Sequence, residues 1–546
     1  MKKHRFLLVL GLAAWLFSGC AADSSSKSSA GVNNGGNVNV GGVQDIGVFR
    51  QIIESGGIPG PDTLDANGFF SEHHLDIPAE DCGENLCLFG MLGRGVSLLS
   101  DDFMNVLQVG FKTFVNPLDY ERPPTDFVAV IDVSGSMYSD AKLEYVRQGL
   151  HMMIDALEPG DRMALVAYSD RAQERLPLTF ADSSENRSTM HSIVNGLVAG
   201  GSTNIYDALT LGFDIARLSM QEGRYARVVF LSDGQPTAGI TDAESIVSLA
   251  RECATKTSQL TSIGVGYDVN FDLMRELAMA GGNFYFIDES AALVDIFVEE
   301  VKSFAFPIAE NVHFSVSATN DFILGDSVGF ESFVSSASGG EAVFPALYMA
   351  TRTSSQVEDP NARRGGGSAM FVRFVPTPSS TFSLSGMLLT MTYTDPETGE
   401  TVGPQRLMVS DMGEDGMLPE NEYFSHEPMR KAFAMLNIYL ALREVCTKAV
   451  QYDFGNASQL LAKTIDYARL LNDVLGGSDD DIAADIELME KLQRNLGGGY
   501  NCGYEGGCMV EDEVVYTGCN ASGSSSGSWM WMGAFLLGLL VIRRRR

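Results

Sequence analysis

At 546 residues the chain is too long to fold around one hydrophobic core, and three or four modules are expected. Its hydrophobic content of 45% is that of a globular protein, but a formal net charge of -32 is far from ordinary. So acidic a surface repels phosphate backbones, which excludes nucleic acid as a natural partner.

The amino end carries an address. Lys2, Lys3 and Arg5 precede an apolar run from Phe6 to Phe17, the charged and apolar regions of a secretory signal over residues 1–20. The closing Ser18-Gly19-Cys20 resembles the lipobox of bacterial lipoproteins, which implies a lipid on Cys20 and a mature chain beginning there. Residues 21–48 are rich in Ser, Gly, Asn and Val and read as a flexible tether. Residues 49–121 form a mixed flanking region with Cys82, Cys87 and a strand pattern from Val106 to Val115.

Strands and helices alternate over 122–305. Phe127–Ile131, Met163–Tyr168, Val228–Leu231, Leu260–Val265 and Phe284–Ile287 read as strands, with amphipathic helical patterns between them. That order predicts a parallel sheet flanked by helices. After Pro307 short alternating strands separated by Gly, Ser and Pro predict a small β-sandwich over 306–410. An acidic linker, 411–427, leads to a helical region, 428–500, in which Ser478 and Asp479 to Asp481 read as a helix start.

A tail rich in Cys, Gly and Ser, 501–528, precedes the apolar segment 529–546 with its arginine cluster. The apolar stretch Trp529 to Ile542 would reach roughly 21 Å as a helix, short of the ~30 Å hydrocarbon core. With Cys519 and the Ala521–Ser528 spacer it resembles carboxyl-terminal sorting signals of some Gram-negative bacteria, the myxobacterial type included; a plain tail anchor is the alternative. Both ends point to a bacterial cell envelope, with membrane contact through the lipid, the tail or both. In that oxidising compartment Cys82 with Cys87, and Cys502 with Cys508, are close enough for local disulfides. Cys253 and Cys446 have no sequence neighbour to pair with.

The residues that carry chemistry are Asp132, Ser134 and Ser136, then Thr203, then Asp233. Each lies just past a predicted strand or at a helix start, where parallel sheets bind ligands. Five oxygen ligands spread this way suit octahedral Mg²⁺, which keeps waters and accepts one or two carboxylates. The stretch from Asp126 to Phe304 resembles the von Willebrand factor type A domain with its metal-ion-dependent adhesion site. That resemblance implies a Rossmann-like α/β fold and direct ligation by Ser134 and Ser136. It implies that Thr203 binds directly or through water, and that Asp132 and Asp233 mainly hold coordinated waters. The sixth position would be left for an Asp or Glu of a protein partner, and Mn²⁺ or Ca²⁺ are alternatives to Mg²⁺. By the same analogy the helix from Ser290 to Phe304 is placed to move on occupation.

The expected whole is therefore a multidomain chain: a Rossmann-like α/β domain, a small β-sandwich and a helical segment. No rival chemistry survives. The pattern Gly523 to Gly527 lies in a spacer with no strand before it, and Gly264-Val265-Gly266 lacks the third glycine of a dinucleotide loop. His151 and His191 fall on predicted helices without a nucleophile and read as structural or solvent-facing. The expectation is a non-enzymatic, metal-dependent adhesion protein; the alternative is an envelope-assembly scaffold in which the metal only stabilises the fold.

Overall fold

The structure is a computed structural model that describes residues 36–510 except 44–45, 79, 116–121, 255–257, 267–268, 280–281, 288–295, 299–306, 319–321, 331, 337, 351, 357–362, 378–385, 410–420, 478, 498–499 and 503–506. Cys20, Cys519, the signal and the apolar tail lie outside the described residues, as does most of the expected helix 290–304. No helix among the described residues is long and apolar enough to cross a membrane.

The described chain opens with strands β1 (Gly36–Val40) and β2 (Gly42–Val43), then α1 (Gly47–Glu54), β3 (Ile58–Pro59) and α2 (Ala66–Ser71). A hairpin follows, β4 (Cys87–Val96) and β5 (Phe103–Thr113), and a Cys82–Cys87 disulfide closes its first end. The α/β unit begins with β6 (Thr125–Asp132), α3 (Lys142–Ala156), β7 (Arg162–Tyr168) and β8 (Ala172–Phe180). It continues with α4 (Ser184–Asn195), α5 (Ile205–Gln221), β9 (Tyr225–Ser232) and α6 (Ala243–Cys253). Then come β10 (Ser258–Val265), α7 (Phe271–Ala278) and β11 (Asn283–Ile287).

These strands form a seven-stranded sheet in the order β2-β11-β10-β9-β6-β7-β8, parallel except for β8. Every residue of β6 is buried, which explains an apolar run without alternation. Phe127, Ala129 and Ile131 face Val146, Leu150 and Met153 of α3, while Val128 and Val130 face Leu209 and Phe213 of α5. The chain leaves β6 for β7 on one side and later returns to β9 on the other. The order therefore reverses at β6, and such a switch point is where open α/β sheets form a ligand crevice, here outside the carboxyl ends of β6 and β9.

The β-rich part holds β12 (Ala309–Ala318), β13 (Phe322–Val328), β14 (Phe333–Ser336), β15 (Gly339–Met349), β16 (Met370–Pro376), β17 (Met387–Thr394), β18 (Thr401–Val409) and β19 (Tyr423–Phe424). They join β1, β4 and β5 in an eleven-stranded sheet folded around Leu107, Phe111, Phe314, Leu347 and Leu389. Two sequence expectations are corrected here. Residues 36–43 of the supposed tether are strands, and the flank 49–121 supplies a hairpin to the β-domain instead of standing apart from it. The α/β unit is thus an insertion between β5 and β12. β1 hides in a linker-like composition, yet Val38 and Val40 alternate and are buried.

Helices α8 (Glu427–Val450), α9 (Phe454–Val474) and α10 (Asp480–Gly497) pack with α1 and α2 on the outer face of β4 and β5, through Phe89, Met91 and Val106. Beyond them β20 (Tyr500–Cys502) and β21 (Gly507–Val510) pair with each other and with β3, which puts Cys502 opposite Cys508. The start of α10 does more than cap a helix. Asp479 accepts the Ile482 amide at 3.2 Å, but Asp481 is a buried partner of Arg352 at 2.7 Å and Lys431 at 3.0 Å. Beside them Arg363 bridges Glu72 and Asp485, each at 3.0 Å, and His73 meets Asp485 at 2.8 Å.

Burial alone would raise the Glu72 carboxyl, but the charges of Arg50 and Arg363 hold it down at about 2. Glu72→Gln is expected to cost about 3 kcal/mol at neutral pH, since it leaves the buried Arg363 guanidinium and the half-buried one of Arg50 short of negative charge. The Glu72 contribution is complete above pH 4.5 and is lost as the pH falls from there through about 2. Urea unfolding across that range should show wild type and variant converging in acid.

Candidate metal centre

β6 delivers Asp132 to the crevice, and the chain turns at once. The Ser134 amide donates to Asp132 Oδ1 at 2.8 Å, and the Ser134 and Ser136 hydroxyls lie 3.0 Å apart. Alternate positions of a tight turn therefore gather one carboxylate and two hydroxyls. Thr203 comes from the loop before α5, which two backbone bonds tie to the first: Gly200 N to Val133 O at 2.7 Å and Gly135 N to Gly201 O at 3.0 Å. Thr203 is locked in turn to the loop after β9, donating its amide to Thr237 Oγ1 at 2.9 Å and accepting the Thr237 amide at 2.9 Å. Asp233 opens that loop. Its carbonyl accepts the Asn270 amide at 2.8 Å. All five sequence candidates thus stand on three interlocked loops at one edge of the sheet.

The charges explain what such a cluster can do. Asp132 and Asp233 are both fully buried. Asp132 Oδ2 accepts from the Ser232 hydroxyl at 2.6 Å and the Tyr168 phenol at 3.2 Å. Burial pushes the Asp132 carboxyl up to about 6, against the hydrogen bonds from Ser232 and Ser134 and with help from the charge of Asp233. Burial, then the neighbouring Asp132, drives the Tyr168 phenol well up, so it stays a donor. Asp233 Oδ2 accepts no hydrogen bond; its charged neighbour is the Lys142 ammonium at 3.6 Å. Two buried carboxylates, three hydroxyls and an oxygen without a donor are a hard-oxygen set that suits a divalent cation such as Mg²⁺. Among the described residues no three His, Cys, Asp or Glu side chains gather as metal ligands; a cation here would need the hydroxyls as well as the carboxylates.

Ser232, Tyr168, Thr237 and Lys142 escaped the sequence reading. Ser232 and Tyr168 end the two strands beside β6, a position that marks them once the strand order is known. His151 and His191 do not join the centre; their Nδ1 atoms meet at 2.7 Å and pin α3 to α4. Cys446 is buried and Cys253 partly so, both as free thiols.

Ser232→Ala should leave Asp132 buried with its shortest side-chain donor gone, at a cost of about 1–3 kcal/mol. Tyr168→Phe, which removes the longer bond, should cost less. Chemical denaturation of both variants checks the order.

The family model described as the von Willebrand factor type A domain matches residues 126–299. Inter-alpha-trypsin inhibitor heavy chain H4 of Homo sapiens is 33% identical over 177 residues, 32% of this chain and 19% of that protein. The protein YfbK of Escherichia coli (strain K12) is 28% identical over 194 residues, 35% of this chain and 33% of that protein. The chain therefore spans a third or less of the length of these two relatives. A solved structure, the von Willebrand factor type A from Catenulispora acidiphila, superposes with a TM-score of 0.50 at 15% identity, covering 79% of this chain and 93% of that one. At that identity the likeness is one of fold, and it extends well past the inserted unit. The α/β insertion of this chain is a von Willebrand factor type A domain.

Proposed function

We propose that the chain is a metal-dependent protein-binding, adhesive component of a bacterial cell envelope. The observation that carries this reading is the gathering of Asp132, Ser134 and Ser136 beside buried Asp233 and the Thr203 loop at the sheet's carboxyl edge. Type A domains are typical of protein interaction and adhesion, which agrees with it. Ser134, Ser136 and Thr203 would hold Mg²⁺, or Mn²⁺ or Ca²⁺, through their hydroxyls, and Asp132 and Asp233 would hold its waters. The bound cation supplies a concentrated positive charge that attracts a partner's Asp or Glu in the midst of an acidic surface.

The rim supports docking of a protein. Tyr138, two residues past Ser136, is 85% exposed, and Val198, just before the Thr203 loop, is 76% exposed. An exposed tyrosine beside a charged anchor is a common centre of binding energy. We read no catalytic step in the centre. The chain is exported and held by a lipid at Cys20, by the carboxyl-terminal segment, or by both before processing near Cys519. Mass spectrometry of the mature protein should find an acylated Cys20 as its first residue; an unmodified start elsewhere contradicts the lipid anchor.

Capture of surface proteins by the purified chain in Mg²⁺ and in chelator tests the binding reading. Asp132→Ala is expected to reduce Mg²⁺-dependent capture at least ~10-fold, equal to about 1.4 kcal/mol. Tyr138→Ala should weaken it by about 1–2 kcal/mol without altering thermal stability. If chelation lowers stability but leaves capture intact, the metal is structural and the scaffold reading replaces this one.

A further inference from the structure

Among the described residues, the cation paired with a carboxylate of the centre is Lys142. It is the first residue of α3, where a positive charge faces the positive end of the helix dipole, and its side chain is 1% exposed. A buried ammonium in that place needs a compensating partner. One such partner is Asp233, whose Oδ2 lies 3.6 Å from Nζ and accepts no hydrogen bond.

Two features of the backbone deliver the side chain there. Asp140 and Ala141 both take left-handed conformations, φ 53° and 56°, which L residues avoid, and they swing the chain so that α3 starts with Lys142 turned inward. On the far side the stem passes over Gly266, at φ +84°. A Cβ there would lie 2.3 Å from Lys142 Cε and 2.9 Å from Cδ. A strained double turn, a glycine floor and a waiting carboxylate thus converge on one ammonium group.

We propose that Lys142 is the resident counter-ion of the centre, holding Asp233 when no metal is bound, and that a divalent cation must displace it from Asp233 Oδ2. The ammonium neutralises one of two buried carboxylates, so the fold of the crevice persists without metal. It also competes with the metal, which makes occupation reversible and sensitive to cation concentration instead of permanent. This rests on the reading that the centre takes a divalent cation.

The test uses Mn²⁺ as a spin-visible probe of the full chain, with thermal melts in chelator as an independent readout. Lys142→Met is expected to bind Mn²⁺ at least ~10-fold tighter than wild type and to melt several degrees lower in chelator, a loss that Mg²⁺ reverses. In the double variant Lys142→Met with Asp233→Asn, the melting temperature in chelator should return toward wild type, because both members of the pair are gone. Should the methionine fail to fold, Lys142→Gln is held to the same outcomes. Wild-type binding of Mn²⁺ with a variant affinity within about twofold, and additive losses in the double variant, would overturn the displacement alone. Binding by neither protein overturns the divalent-cation reading, and the displacement with it.

Discussion

Two carboxylates buried side by side at the end of a parallel sheet cannot stand uncompensated. Asp132 and Asp233 sit at the ends of adjacent strands, fully shielded from water, and the arrangement around them answers that cost. Ser232 and Tyr168 donate to one of them, and Lys142 faces the other. Three loops are knotted together by backbone bonds so that hydroxyls of Ser134 and Ser136, and the residue Thr203, stand beside the pair. What remains after these contributions is a deficit of positive charge in a crevice lined with oxygen. Under the proposed function a small divalent cation would meet it, and a partner's carboxylate would complete its shell.

The insertion geometry gives this centre a physical connection to the rest of the molecule. The loop carrying Ser134 and Ser136 runs directly into α3, and Gly149 of α3 leaves room for the ring of Phe297; a Cβ there would lie 2.0 Å from it. Ile296 and Phe297 share an apolar core with α3 and with Ala346 and Tyr348 of β15. On the same border Arg227 of β9 is buried among Gln259, Thr261 and the Tyr348 phenol, at 2.6, 2.9 and 3.1 Å. The type A domain thus meets the β-domain through Ile296 and Phe297 and through a polar lock. A shift in the Lys142 turn would be felt along α3 at Gly149, against which the Phe297 ring packs.

The α/β unit was legible because its strands are buried on both faces and its helices are amphipathic; each predicted strand there lies within an observed one. The shared placement of its five candidate residues was legible because oxygen-bearing side chains fall at strand ends. The β-domain was less so, for particular reasons. β4 contains Gly90, Gly93 and Gly95, which give no apolar strand signal but let the strand approach Val409, Met429 and Phe433. β8 buries only Leu176 among mostly exposed or half-buried residues, as an edge strand can, and leaves no apolar signal. Nothing in the sequence marks Lys142 as buried. Only the left-handed turn before it and the glycine beneath it, both tertiary facts, show that it points inward.

The central claim is that these five residues form one cation centre, and diffraction from crystals soaked in Mn²⁺ tests it most directly. The account predicts an anomalous peak in the crevice between the ends of β6 and β9, within bonding distance of the Ser134 and Ser136 hydroxyls. A Mn²⁺ peak elsewhere on the chain, with none in that crevice, would contradict it.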